Sequence, residues 1–254
     1  MKKEIKSINI SIKHPKYEKV RRQANTIEDL FEEFYLQPTV LPIPDEIDPI
    51  FPRISINSKN GHSNINFSQI GVDFNVIYDD KYSFDYSLCE DYIKERMKLI
   101  QTYLNQSKIE QYYYVGIMCQ VKFNYEGEFD EIHQIQDYYL KQFDVANLYD
   151  FNQKITLLEE DTYFHNITLS NYRDYTGDII NQDSPAILSF EKAKISENGI
   201  VVTIDINNRY QYTSKGILFE TAKLDDSLNY LYSKNREWID KRIYDYSFLQ
   251  SKEV

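Results

Sequence analysis

The chain has 254 residues, 42% of them hydrophobic and 15% aromatic, a composition that supports a packed core and excludes an intrinsically disordered polymer. Its formal net charge is −11, and an acidic surface repels phosphate backbones, so general nucleic-acid binding is not expected. The seven glycines are scattered singly, which excludes a Walker phosphate loop and a GxGxxG dinucleotide fingerprint.

The N-terminal part of the chain predicts a strand, a short helix and an extended connector. Alternating isoleucines predict a strand over residues 5–12, and Thr26 is placed to cap an amphipathic helix over 26–36. The segment 37–52 contains five of the seven prolines, which fix φ and lack a backbone donor. We therefore predict a proline-rich extended connector at 37–52. We interpret it as a linker packed along the body, with a docking segment for a partner as the alternative.

Short strands followed by one long amphipathic helix occur twice, over about 53–107 and about 186–246. In the first copy, alternation predicts strands near 54–56, 65–67 and 72–78, before a helix over 83–106. The second copy has a strand from about residue 186, a turn at 197–199, a strand over 202–206 and a helix from 224 to about 244. Between the copies lie predicted strands at 112–124, 153–159 and 163–170, and a segment at 129–143 that is either helix or loop.

This order of elements predicts an α+β fold with mainly antiparallel sheets and two long amphipathic helices, built from a duplicated strand–strand–helix unit. We expect one unit over residues 1–254, with halves at 1–126 and 127–254. The sequence leaves open whether the two halves share one sheet.

The string PRISINSKNGHSNINFSQIGVDFNVIYDDKYSFDY at 52–86 resembles a sporadically distributed bacterial family of about 260 residues, whose members have no established function. Strings at 112–125 and 201–209 and the helix from 224 onward extend the resemblance over most of the chain. The family's arginine-tyrosine-asparagine strand motif is represented here only by the residues at 121–124. The resemblance implies an uncharacterised bacterial protein and supplies no catalytic residues.

No catalytic or metal-binding motif is found in the sequence. The four histidines are too far apart for an HxxxH pair, the two cysteines lie 30 residues apart, and GxSxG is absent. We therefore predict no catalytic, cofactor-binding or metal-ligating residue and no cofactor, and we favour a protein without enzymatic activity. A metal-dependent hydrolase built from distant acids with His133 or His165 is the weakest alternative.

The chain has no feature that predicts a membrane partner. The N-terminus has lysines but no apolar signal region, and no apolar run approaches 18 residues. We expect a cytoplasmic protein with reduced thiols.

Tyrosine is unusually abundant, with 23 residues, and tyrosine is enriched as an anchor at protein interfaces. The predicted interface residues are Tyr112, Tyr114, Tyr138, Tyr139, Tyr210 and Tyr212. Together with the net charge, they favour a non-enzymatic protein-interaction factor of a bacterium or phage, of the inhibitor, immunity or defence-accessory type. Its expected partner is another protein, and the acidity of the chain is compatible with a basic one. Self-association stays open. The alternative function is a small-molecule binding protein with a tyrosine-lined pocket between sheet and helix.

Overall fold

The computed structural model describes residues 2–124, 150–176 and 194–245. The strands of these residues are β1 (Lys2–Lys13), β2 (Thr39–Val40), β3 (Pro52–Asn57), β4 (Ser63–Ser68), β5 (Gly71–Ile77), β6 (Gln111–Tyr112), β7 (Tyr114–Asn124), β8 (Asn152–Glu159), β9 (Tyr163–Thr176), β10 (Lys194–Asn207) and β11 (Phe219–Glu220). Nine of them form one antiparallel sheet in the order β2-β3-β4-β5-β1-β7-β10-β9-β8, and β6 pairs with β11. The two halves of the chain therefore share a sheet, joined where β7 of the first half pairs with β10 of the second.

The described helices are α1 (Ala24–Phe31), α2 (Tyr86–Gln106), α3 (Arg209–Lys215) and α4 (Leu224–Asp240), with 3₁₀ turns at Val20–Gln23, Thr221–Lys223 and Arg242–Asp245. The predicted α+β class, with a large antiparallel sheet and two long helices, is confirmed. None of the helices in the described ranges is long and apolar enough to cross a membrane.

The second copy of the repeat differs from its prediction over 186–246. Its described part has one strand of the large sheet, β10, followed by α3, β11 and α4, whereas β3, β4 and β5 precede α2 in the first copy. A run of three sheet strands before a long helix recurs only when β8 and β9, which lie before the predicted second copy, are counted with β10. The predicted turn at 197–199 is wrong, because these residues lie inside β10 and pair with β9. Gly199 signals close backbone approach there, since a Cβ at this position would clash with the carbonyl oxygen of Phe123. The predicted strand start at about residue 186 lies outside the described residues.

The first helix differs from its prediction at both ends. It begins at Ala24 and ends at Phe31, so Thr26 lies within it and does not cap it. The chain leaves the helix after Phe31, and Tyr35 then forms a β-bridge with Ser58. The Tyr35 hydroxyl lies 3.0 Å from Ser63 Oγ.

The sheet has one apolar face and one polar face. The apolar face packs against α2 and α4, as shown by Tyr92 OH at 2.9 Å from Ser63 Oγ and by Trp238 Nε1 at 3.1 Å from His165 Nδ1. The core between the sheet and the helices includes the alternating apolar residues of β7: Val115, Ile117, Cys119, Val121 and Phe123. Burying such side chains contributes about 1.5–3 kcal/mol each, so this core stabilises the packing of the helices on the sheet.

Candidate functional site

The six predicted interface tyrosines do not form one surface. Tyr112 is only 1% exposed, its hydroxyl lies 2.9 Å from Ser227 Oγ, and its ring stacks on Phe219. Burial raises the pKa of Tyr112 to about 12. Its role is in the core, so it offers no surface to a partner. Tyr138 and Tyr139 lie outside the described residues.

The other three tyrosines gather beside α3. Arg209 donates a hydrogen bond of 2.8 Å to Tyr114 OH, Tyr210 makes an edge-on contact with Phe164, and the Tyr212 ring lies 4.5 Å from that of Tyr113. Each ring packs on a different neighbour, and of the three Tyr212 is the most exposed to solvent, at 37%.

A stronger candidate site is the proline-rich connector at 37–52, which is held in a defined shape by a buried arginine. Arg53 is 0% exposed, and its guanidinium donates to Phe51 O at 2.8 Å and to Ile47 O at 2.9 Å. Two successive turns, closed by Ile47 N to Pro44 O and Phe51 N to Asp48 O, wrap around it. A planar guanidinium with several donors is suited to organising backbone carbonyls in this way.

A second arginine fixes the other limb of the connector. Arg21 donates to the carbonyl oxygens of Leu41 and Ile43, and its Nη1 lies 3.2 Å from Asp45 Oδ1. The same carboxylate oxygen lies 3.5 Å from Arg53 Nε. Asp45 therefore ties both arginines together, and the connector is anchored at both ends rather than loosely packed.

The anchored connector exposes apolar side chains. Ile47 is 43% exposed, Ile50 is 50% exposed and Phe51 is 48% exposed, all within five residues. The segment 37–52 also contains three acidic residues and no lysine or arginine. It is thus an apolar and acidic surface element whose backbone is already ordered.

The polar face of the sheet carries a row of amide side chains. Strand register aligns one residue from each of eight strands in this row: Asn57, Asn64, Asn75, Asn9, Met118, Asp205, Asn166 and Thr156. Asn75 Nδ2 donates to Asn64 Oδ1 at 2.9 Å, and Asn166 Nδ2 donates to Asp205 Oδ2 at 3.1 Å. These cross-strand bonds hold the face together, so we assign it a structural role.

His165 also has a structural environment. Because Trp238 Nε1 donates to its Nδ1, the neutral ring carries its proton on Nε2, which lies 3.7 Å from Glu159 Oε2. Burial lowers the pKa of His165. Burial alone would raise the pKa of Glu159, but hydrogen bonds from Arg242 and Lys234 and the positive charges nearby together hold that pKa below its usual value. Across the described ranges, no group of three or more His, Cys, Asp and Glu side chains is arranged to hold a metal ion. His133 lies outside them.

A groove of about 650 Å³ runs along α2 beside α4 and is lined by Tyr82, Tyr92 and Tyr232, among others. It lies against the two helices, whereas the small-molecule alternative predicted a pocket between sheet and helix.

Comparison of the chain with family models, curated proteins and solved structures found no match. The functional argument therefore rests on the geometry of this molecule. One of the two interpretations of the connector from the sequence was a docking segment, but sequence reasoning missed the buried Arg53 that shapes it. The available signal was the cluster of five prolines.

Proposed function

We propose that this chain is a non-enzymatic protein-interaction factor that binds a basic protein through its proline-rich connector. The observation that carries the proposal is the turn around Arg53, which displays Ile47, Ile50 and Phe51 on an ordered backbone. Apolar side chains clustered on a surface mark protein-binding sites, and a pre-ordered backbone lowers the entropy cost of binding.

Charge defines the chemistry of the partner. The connector carries Asp45, Glu46 and Asp48 without a cation of its own, and the whole chain has a net charge of −11. Because Asp45 is bound by Arg21 and Arg53, Glu46 and Asp48 are the carboxylates left to face a partner. We expect a partner with an apolar pocket inside a basic surface, which would also speed association at low salt.

The proposal is tested by affinity purification from the native host with matched variants. Phe51→Ser removes an apolar anchor, whereas Phe84→Ser changes a similarly exposed phenylalanine, 44% against 48%, outside the connector. Loss of a central aromatic anchor costs about 2 kcal/mol of binding, or about thirtyfold in affinity. We expect a stoichiometric partner with the wild type and with Phe84→Ser, and its loss with Phe51→Ser.

A charge-reversal pair tests the nature of the partner. Glu46→Lys should weaken binding and reduce its dependence on salt, while Glu110→Lys, at another exposed site, should not. The proposal is contradicted if both phenylalanine variants retain the partner equally. It is also contradicted if Phe51→Ser only disrupts self-association of the chain, measured by light scattering.

A further inference from the structure

A cavity of about 850 Å³ lies beside the connector, at the exit of β1. One wall is the segment 16–22, whose last residues belong to the 3₁₀ turn Val20–Gln23. The other wall is formed by Asp45 and Glu46. Gln69 lines the cavity, and its backbone carbonyl accepts from Tyr17 N in the first wall at 2.7 Å, while its N–H donates to Pro49 O of the connector at 3.1 Å. The cavity is therefore part of the fold and distinct from the apolar turn around Arg53.

The cavity carries an excess of positive charge on an acidic protein. Its lining has four cationic side chains, Lys16, Lys19, Arg21 and Arg22, against three acidic ones, Glu18, Asp45 and Glu46. Lys16 pairs with Glu18 at 3.1 Å, and Arg21 pairs with Asp45 at 3.2 Å. Within the described residues, Lys19 and Arg22 have no ion pair, so they are the two cations available to an anionic ligand.

Two further groups in the lining point to more than a bare anion. Gln69 is 1% exposed, and its buried Oε1 has no hydrogen-bond partner in the part of the chain that the structure describes. Buried polar atoms are normally satisfied, so this oxygen is suited to accept a hydrogen bond from a ligand. Tyr17 contributes a half-buried ring to the same lining, and its hydroxyl accepts from Gln23 Nε2 at 2.9 Å, which restrains the ring.

We propose that this cavity binds a nucleotide. The phosphate contacts Lys19 and Arg22, the base stacks on Tyr17, and Gln69 Oε1 accepts a hydrogen bond from the base. The site uses side chains rather than a glycine-rich loop, so it does not require the phosphate-loop motifs that the sequence lacks. The inference does not rest on partner binding, although Glu46 belongs both to the connector and to the lining of this cavity, so the variants that test it lie elsewhere in the lining.

Calorimetric titration of the full chain at low ionic strength tests the proposal with four probes: AMP, adenosine, ribose 5-phosphate and inorganic phosphate. AMP contains both the phosphate and the base, and each of the other probes lacks at least one of them. We expect AMP to bind at least about tenfold more tightly than any of the other three, the change expected for losing one good contact. Equal affinity for AMP and inorganic phosphate, or no binding of AMP, would overturn the proposal.

Variants separate a built site from attraction by charge alone. Arg22→Glu and Lys19→Glu should each weaken AMP binding at least about tenfold. Lys98→Glu, an exposed position on α2, makes the same change in net charge and should leave the affinity unchanged. Gln69→Leu should reduce the preference of the site for AMP over ribose 5-phosphate. If Lys98→Glu weakens AMP binding as much as Arg22→Glu, the site is not specific and the proposal fails.

Discussion

Replacing Arg53 by methionine tests whether one buried side chain organises the connector. The guanidinium donates to Phe51 O at 2.8 Å and Ile47 O at 2.9 Å, and a charged hydrogen bond contributes about 1.5–3 kcal/mol, so losing both costs about 3–6 kcal/mol. Methionine also removes the cost of burying a charge, so we expect a net loss of about 2–4 kcal/mol in the free energy of unfolding. Arg53→Lys keeps the charge but lacks the planar guanidinium, so its free energy of unfolding should lie between those of the wild type and Arg53→Met.

Unfolding in urea, monitored by circular dichroism, measures the stability of each variant. Limited proteolysis measures how well the connector is protected. Arg22→Met is the control, because Arg22 is exposed and should change stability by less than about 0.5 kcal/mol. Arg53→Met should be destabilised, and its connector should be cleaved faster. The reasoning is refuted if Arg53→Met and Arg22→Met unfold at the same urea concentration and their connectors resist protease equally.

Three further predictions concern the core. Tyr112→Phe loses the hydrogen bond to Ser227 and should lower the free energy of unfolding by about 1 kcal/mol in urea titrations, whereas no loss would argue against that bond. Gly199→Ala places a Cβ against the carbonyl of Phe123 and should lower the melting temperature or prevent folding, while a wild-type melting curve would contradict the register of β10. The pKa of His165 is lowered in the folded state, so on acidification the unfolded chain takes up this proton at a higher pH than the folded chain does. The free energy of unfolding should therefore fall as the pH drops below about 6.5. His165→Gln should show a smaller loss of stability between pH 7.5 and 5.5, and an unchanged loss would contradict the assignment.

Much of the architecture follows from the periodicity of the sequence. Strict alternation over the apolar residues of β7 predicts a half-covered antiparallel strand, and its burial confirms this. The helix predicted over 83–106 corresponds to α2 at Tyr86–Gln106, because apolar residues at three- and four-residue spacing define its buried face. The predicted helix from 224 corresponds to α4, which ends at Asp240 and is followed by a 3₁₀ turn.

Sequence pattern fails where a residue is used for a long-range contact. Glu197-Asn198-Gly199 has turn composition, yet Gly199 is required inside β10 by the neighbouring backbone of β7. Tyr112 belongs to a tyrosine run that is typical of an interface, but the run crosses from a core position to the surface near α3. Local composition carries no information on which neighbour a strand will meet.

The candidate site was only half predictable. The prolines of the connector predict an extended segment, and a docking role was one of two interpretations of it. The burial of Arg53 could not be predicted, because its partners at Ile47 and Phe51 are backbone carbonyls, which every residue possesses. An arginine at the start of a strand is otherwise expected to be exposed.

The most direct test of partner binding is site-specific photocrosslinking in the native host. A photoreactive phenylalanine analogue is placed at position 51 in one variant and at position 84 in another, which are similarly exposed in the folded chain. The account predicts one dominant crosslinked protein from position 51, with a basic surface, and none from position 84. Equal crosslinking from both positions, or crosslinking of position 51 only to a second copy of the chain, would contradict it.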